Sequence, residues 1–262
     1  MKNLILFIIV YLICNICFCQ KYIGTNVKPS TINKTGYLMP YAGILYFSAS
    51  NEKDSSNELN KNIARKSNIF LNEIVSKFDF PAELVKLDSM EFTLYQTSVK
   101  SIVEKLIIDG EILKYNDNEV FSYNRKKVMR VANSIEICDT ILNIIKQKDK
   151  RLMLSTGTLG FIKTKDYRSN NPKSRVYNYP NSGAAYVLLD RLFNNPKKCC
   201  KSINYALIID SEEKNIAYFN IAVEEINPAS DESLQRMAYR VFEDYWIWYH
   251  PEAQQYLKIK QK

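Results

Sequence analysis

Apolar and polar positions divide the chain into stretches with different periods. Leu4 to Cys19 is almost wholly apolar, broken only by Asn15, and follows a short positive start at Met1-Lys2-Asn3. That layout predicts a secretory signal peptide over 1–19, with Cys17 and Cys19 as the small residues before a cut at Gln20 and a mature globular chain over 20–262. An uncleaved N-terminal anchor is the rival, although the run is shorter than the ~20 residues that span a bilayer. A lipid-modified cysteine fits less well, because Ile13, Ile16 and Phe18 precede Cys14, Cys17 and Cys19 where a small residue is expected. No later segment is long and apolar enough to suggest a transmembrane span, so the expected localisation is secreted or periplasmic.

Beyond the leader, Tyr37–Phe47 has the composition of an extended segment broken by Pro40 and Gly43. Ser55-Ser56-Asn57-Glu58 offers a capping box, and Leu59, Ile63, Phe70, Ile74 and Phe78 follow at helical spacing, which predicts a helix over 56–78. A second helix is expected over 92–108 ending at Gly110, or else a hairpin turning on Asp109-Gly110. Val128, Val131, Ile135, Cys138, Leu142 and Ile145 recur every three or four residues, which predicts one long helix with Asn124 as its N-cap.

The pattern then shortens. Residues 152–155 and 160–165 suggest two short strands around Thr156-Gly157-Thr158, and a helix is expected over 183–193 before Asn194-Asn195-Pro196. Ile203–Ile209 and Asn215–Val223 predict a β-hairpin through Ser211-Glu212-Glu213-Lys214. Asp231 opens a last helix carrying Leu234, Met237, Val241, Tyr245 and Trp248, with His250-Pro251 as its stop. The expected class is α+β, with a helical N-terminal half and antiparallel β-hairpins in the C-terminal half whose helices pack on one face. A subdomain boundary is possible near 148–151, where the linker is basic.

Composition narrows the chemistry. With 46% apolar and 12% aromatic residues, the chain can build a packed core. Seven glycines are few for phosphate loops or dinucleotide turns, and one histidine excludes metal sites built on two imidazoles. No cofactor and no metal are therefore expected. Ser155-Thr156-Gly157-Thr158-Leu159-Gly160 has two glycines but lacks the lysine of a phosphate loop. His250 beside Tyr245-Trp246-Ile247-Trp248-Tyr249 fits a helix terminus better than a catalytic base. Tyr239, Phe242, Tyr245, Trp246, Trp248 and Tyr249 fit core packing better than a sugar-binding surface. Asn33-Lys34-Thr35 is a glycosylation acceptor pattern, meaningful only in a eukaryotic source. Cleavage would leave Cys138, Cys199 and Cys200, and a bond from Cys138 to one of the adjacent pair is less constrained than a bond between neighbours. The rival is three reduced thiols.

Charge changes the picture most. Residues 125–201 hold 17 basic and 5 acidic side chains, a balance of +12, whereas the rest of the mature chain sums to −5. Within that stretch, Lys163, Lys165, Arg168, Lys173, Arg175, Tyr177 and Tyr179 form a candidate binding surface together with Phe161 and Tyr167. Cations hold anionic groups, and aromatic faces stack on rings. The expectation is an exported, non-enzymatic binding protein for an anionic glycan, lipid head group or acidic protein, with nucleic acid a less apt partner. One alternative is a secreted or periplasmic polysaccharide hydrolase using paired carboxylates. Glu224-Glu225 would point to opposite faces of a strand, however, and Asp231-Glu232 reads as a helix cap. Another alternative is a structural component of a secretion or surface assembly. A solvated loop that serves solubility is the plain reading of the basic stretch.

Overall fold

The computed structural model describes residues 19–20, 35–47, 54–77, 82–110, 114–115, 121–122, 125–163, 199–224 and 227–242. Its centre is β7 (Leu152–Lys163), a strand of twelve residues. On one side β7 pairs antiparallel with β8 (Cys200–Asp210), which turns at Ser211–Lys214 into antiparallel β9 (Asn215–Glu224). On its other side β7 pairs in parallel with β2 (Thr35–Tyr37) and then β3 (Tyr41–Phe47), one extended segment interrupted around Pro40. β4 (Ala82–Leu84) lies beyond β2, and β1 (Cys19–Gln20) beyond β9, completing a seven-stranded mixed sheet. The expected cleavage site thus falls on an edge strand, with Cys19 opposite Ala222 and Gln20 opposite Ile221. A separate short hairpin joins β5 (Lys114–Tyr115) to β6 (Phe121–Ser122).

The α+β class is what the sequence predicts, and the coverage of the sheet is fuller than predicted. Helices α2 (Ser89–Asp109), α3 (Arg125–Ser134) and α4 (Asp139–Gln147) pack with Ile203, Tyr205, Leu207 and Ile209 on one face. Helices α1 (Asp54–Lys77) and α5 (Asp231–Phe242) pack with Ala206 and Ile208 on the other. Alternate residues of β8 therefore serve two cores, and all eleven of its residues are buried. A strand buried at every position must be covered twice, because period-2 geometry sends successive side chains to opposite faces. In β9 the alternation slips by one residue. Ile208 lies opposite Tyr218 and Ile209 opposite Ile216, so Ala217 is the extra residue of a bulge. The slip lets Ile216 and Phe219 share one core while Ala217 and Tyr218 share the other.

Two local expectations are corrected, and the choice left open at Asp109-Gly110 falls to the helix. The two short strands around Thr156-Gly157-Thr158 are one continuous strand. Asp109-Gly110 turns no hairpin: α2 runs to Asp109, and the Gly110 N–H donates to Leu106 O at 3.1 Å. The long helix over Val128–Ile145 breaks at residues 135–138. There the Ser134 hydroxyl donates to Val131 O at 2.8 Å, a local bond that competes with continued helix. Ile135 and Ile137 still point into the core from the irregular connection, whereas Cys138 of the expected stripe is exposed. The start of α2 is a full capping box. Asp88 Oδ1 accepts from the N–H groups of Met90 and Glu91 at 2.8 Å, and Glu91 Oε2 accepts from the Asp88 N–H at 2.9 Å. Lys148 ties the same carboxylate to the end of α4 at 2.8 Å. The Lys148 contact and the Asp88 N–H hold Glu91 below the usual carboxylate range.

The glycines of β7 answer a packing need. A Cβ on Gly157 would lie 2.5 Å from the hydroxyl of buried Tyr205, directly across the ladder, and one on Gly160 would lie 2.2 Å from the carbonyl oxygen of Lys201. Strand glycines often mark such close approaches. Gly43 differs, since its nearest neighbours would be side-chain atoms at 3.0–3.2 Å. Alanine substitution is expected to destabilise in the order Gly160 > Gly157 > Gly43. Urea denaturation should show a loss of about 1–3 kcal/mol for Gly157→Ala, the range for overpacking a core. Equal, small losses at all three positions would contradict this packing.

Candidate functional site

Both ends of the β7–β8 ladder carry charge, in different ways. At one end Arg151 forms a fork with Asp210, its Nη2 donating to Oδ2 at 2.9 Å and its Nε to the same oxygen at 3.1 Å. Asp210 is fully buried, and its Oδ1 also accepts from the N–H groups of Glu212 and Glu213. This carboxylate is committed to closing the β8–β9 turn. At the other end stands Lys163, the last residue of β7. Its N–H donates to Cys199 O at 2.7 Å, the rung after Ile162 opposite Cys200. Its ammonium lies 5.1 Å from the centroid of the Phe161 ring, within cation–π reach. Lys163 is only 6% exposed, and burial pulls its ammonium below the usual lysine range. Lys201, opposite Phe161, is buried as well.

Of the predicted binding surface, Lys163 and Phe161 are therefore placed, both inside the sheet end. Lys165, Tyr167, Arg168, Lys173, Arg175, Tyr177 and Tyr179 lie outside the described residues, as do His250, Trp246 and Asn33. The geometry does fix where the intervening chain is attached. Residues 164–198 leave from the end of β7 and return to the start of β8, two hydrogen-bonded neighbours. That stretch holds seven basic and two acidic residues.

Other sequence candidates resolve into structural roles. Asp231 is not the helix cap. Ser230 takes that place, its Oγ accepting from the Ser233 N–H at 3.2 Å, while Asp231 pairs with Lys66 of α1 at 2.6 Å. Glu224 ends β9 and Glu225 lies outside the described residues. Cys138 occupies the N-cap position of α4 and is exposed, and no disulfide joins any of Cys138, Cys199 and Cys200. The glycines at 157 and 160 belong to a strand interior, so the faint likeness to a phosphate loop has no loop behind it.

One feature escaped the sequence reading. Between α1 and α5, a cavity of about 20 Å³ opens over Thr156, Thr158 and Asn204, with Leu71, Leu234 and Phe242 among its apolar walls. Among the described residues, Thr156 Oγ1 and Asn204 Oδ1 are buried without a hydrogen-bond partner. That volume is about what a single water needs, so the polar pair suits solvent and the space is far below the usual ligand pocket. The available signal was Thr156 and Thr158 at alternate positions of a mainly apolar strand. No helix among the described residues is long and apolar enough to cross a membrane, and none of their His, Cys, Asp and Glu side chains group into a metal site.

The burial of Lys163 has a pH signature. A lysine whose folded pKa is depressed leaves the unfolded chain binding the extra proton between the folded and unfolded values, so stability rises with pH through that window. The cost of the buried charge is present in full at neutral pH. In urea titrations the parent is expected to gain stability relative to Lys163→Met as pH rises through that window. A parent that loses stability relative to the variant there would contradict the assignment.

No family model matches the chain, and no curated protein matches it. Among solved structures, the PelC dodecamer from Paraburkholderia phytofirmans is similar over 87% of this chain and 96% of that one, at 6% identity and a TM-score of 0.32. The LpoB C-terminal domain from Salmonella enterica is similar over 77% of this chain and 87% of that one, at 4% identity and a TM-score of 0.27. Superpositions this loose carry no functional argument.

Proposed function

We propose that the chain is an exported, non-enzymatic binding protein that uses the basic, tyrosine-rich stretch between β7 and β8 to hold an anionic glycan, lipid head group or acidic protein. The observation that supports this reading most is the attachment of that stretch. Its two ends are paired strands of the best-buried ladder in the sheet, with Lys163 bonded to Cys199 across the base. A charged segment anchored at both ends on a rigid pair presents its cations from a fixed origin. Less conformational freedom is then lost on binding than for a free tail.

Charge is compatible with the same segment. Outside 125–201 the mature chain carries net negative charge, and residues 164–198, with seven basic and two acidic side chains, supply +5 of the +12 within it. Neutralising Lys165, Arg168, Lys173 and Arg175 to Gln leaves the described core untouched. The fourfold variant is expected to elute from a heparin column at clearly lower salt than the parent, with an unchanged unfolding midpoint. Retention at the parent's salt concentration would contradict the proposal.

A further inference from the structure

Neighbouring side chains on a strand point to opposite faces, which normally keeps adjacent cysteines apart. Cys199 and Cys200 escape that rule because Cys199 sits in a bend just before β8 begins. Their sulfur atoms are 2.9 Å apart, within contact though beyond the ~2 Å of a disulfide bond. The two thiols also differ in access: Cys199 is exposed, whereas Cys200 is buried at 4%. Contact and unequal exposure together match the arrangement of an attacking and a resolving thiol.

We infer that Cys199 and Cys200 form a redox-active dithiol, a thiol–disulfide exchange site whose co-reactant is a low-molecular-weight disulfide. Cys199, having lost its proton to solvent, attacks one sulfur of that disulfide, forms a mixed disulfide and expels the first thiolate. The expelled thiolate takes the proton of Cys200, whose sulfur then attacks Cys199 Sγ and expels the second half of the co-reactant. The protein dithiol loses two electrons and becomes a bridge between neighbours, while one small disulfide becomes two thiols. A ring closed by adjacent residues is constrained, and constrained bridges are more readily reduced than structural ones, so the exchange should run both ways. Cys138 takes no part.

The site lies on the rung that closes the base of the 164–198 stretch, where Cys199 O accepts the Lys163 N–H. The inference does not depend on what that stretch binds. Its test uses the full mature chain and its Cys138→Ser variant, equilibrated with excess oxidised glutathione, alkylated and mapped by peptide mass spectrometry. In both proteins the expected product is a peptide containing Cys199 and Cys200, unalkylated and lighter by two hydrogens, restored to two alkylated residues by excess reduced glutathione. The Cys200→Ser variant should instead stop at a glutathione adduct on Cys199. Two alkylated cysteines after oxidation, a bridge to Cys138, or no adduct in Cys200→Ser would each overturn the inference.

Discussion

The antiparallel ladder between β7 and β8 is the constraint that the rest of the fold obeys. From Leu152 opposite Asp210 to Ile162 opposite Cys200, two long strands run side by side with helices on both faces. Backbone groups buried so deeply have no water to fall back on, so each must find its partner across the ladder or lose about 1–3 kcal/mol. That need explains why glycine stands where Tyr205 and the Lys201 carbonyl press on β7. It also explains the fork of Arg151 on buried Asp210, which satisfies a carboxylate that closes the next turn. Even the β9 bulge serves this pair, because it brings both Ile216 and Phe219 onto the core that β8 shares with α2, α3 and α4.

Much of this was legible in the sequence where periodicity was strong. The helix over 56–78 and the hairpin of Ile203–Ile209 with Asn215–Val223 match α1, β8 and β9 closely. The errors share a cause: local patterns do not reveal what lies on the far side of an element. Thr156-Gly157-Thr158 has turn-like composition, yet the glycine is there for Tyr205, which lies some fifty residues on in sequence and directly opposite in space. An apolar period running from Val128 to Ile145 names most of the residues that face the core, but it puts Cys138 there in place of Ile137 and leaves the backbone between Ser134 and Asp139 undecided. The run Ile203–Ile209 did hold the clue to two-sided burial, since only Asn204 and Tyr205 interrupt its aliphatic character.

Candidate chemistry was less legible than fold. Charge counting found the basic stretch, but a count cannot show that Lys163 is buried against Phe161. The adjacent cysteines looked poorly suited to each other because a strand would have separated them. The bend at Cys199 removes that objection and brings their sulfurs into contact. Both the binding and the redox proposals therefore meet at one end of the ladder, where regular pairing gives way. The opposite end is held closed by Arg151 and Asp210.

Native-state hydrogen exchange tests the central place of this ladder most directly, because it ranks segments by the free energy at which they open. The account predicts that amides within Leu154–Phe161 and Ile203–Leu207 form the slowest-exchanging set and open only with global unfolding. Edge strand β4 and the exposed turns of α1 should exchange earlier. Exchange from the β7–β8 amides at or before that of the flanking helices would contradict it.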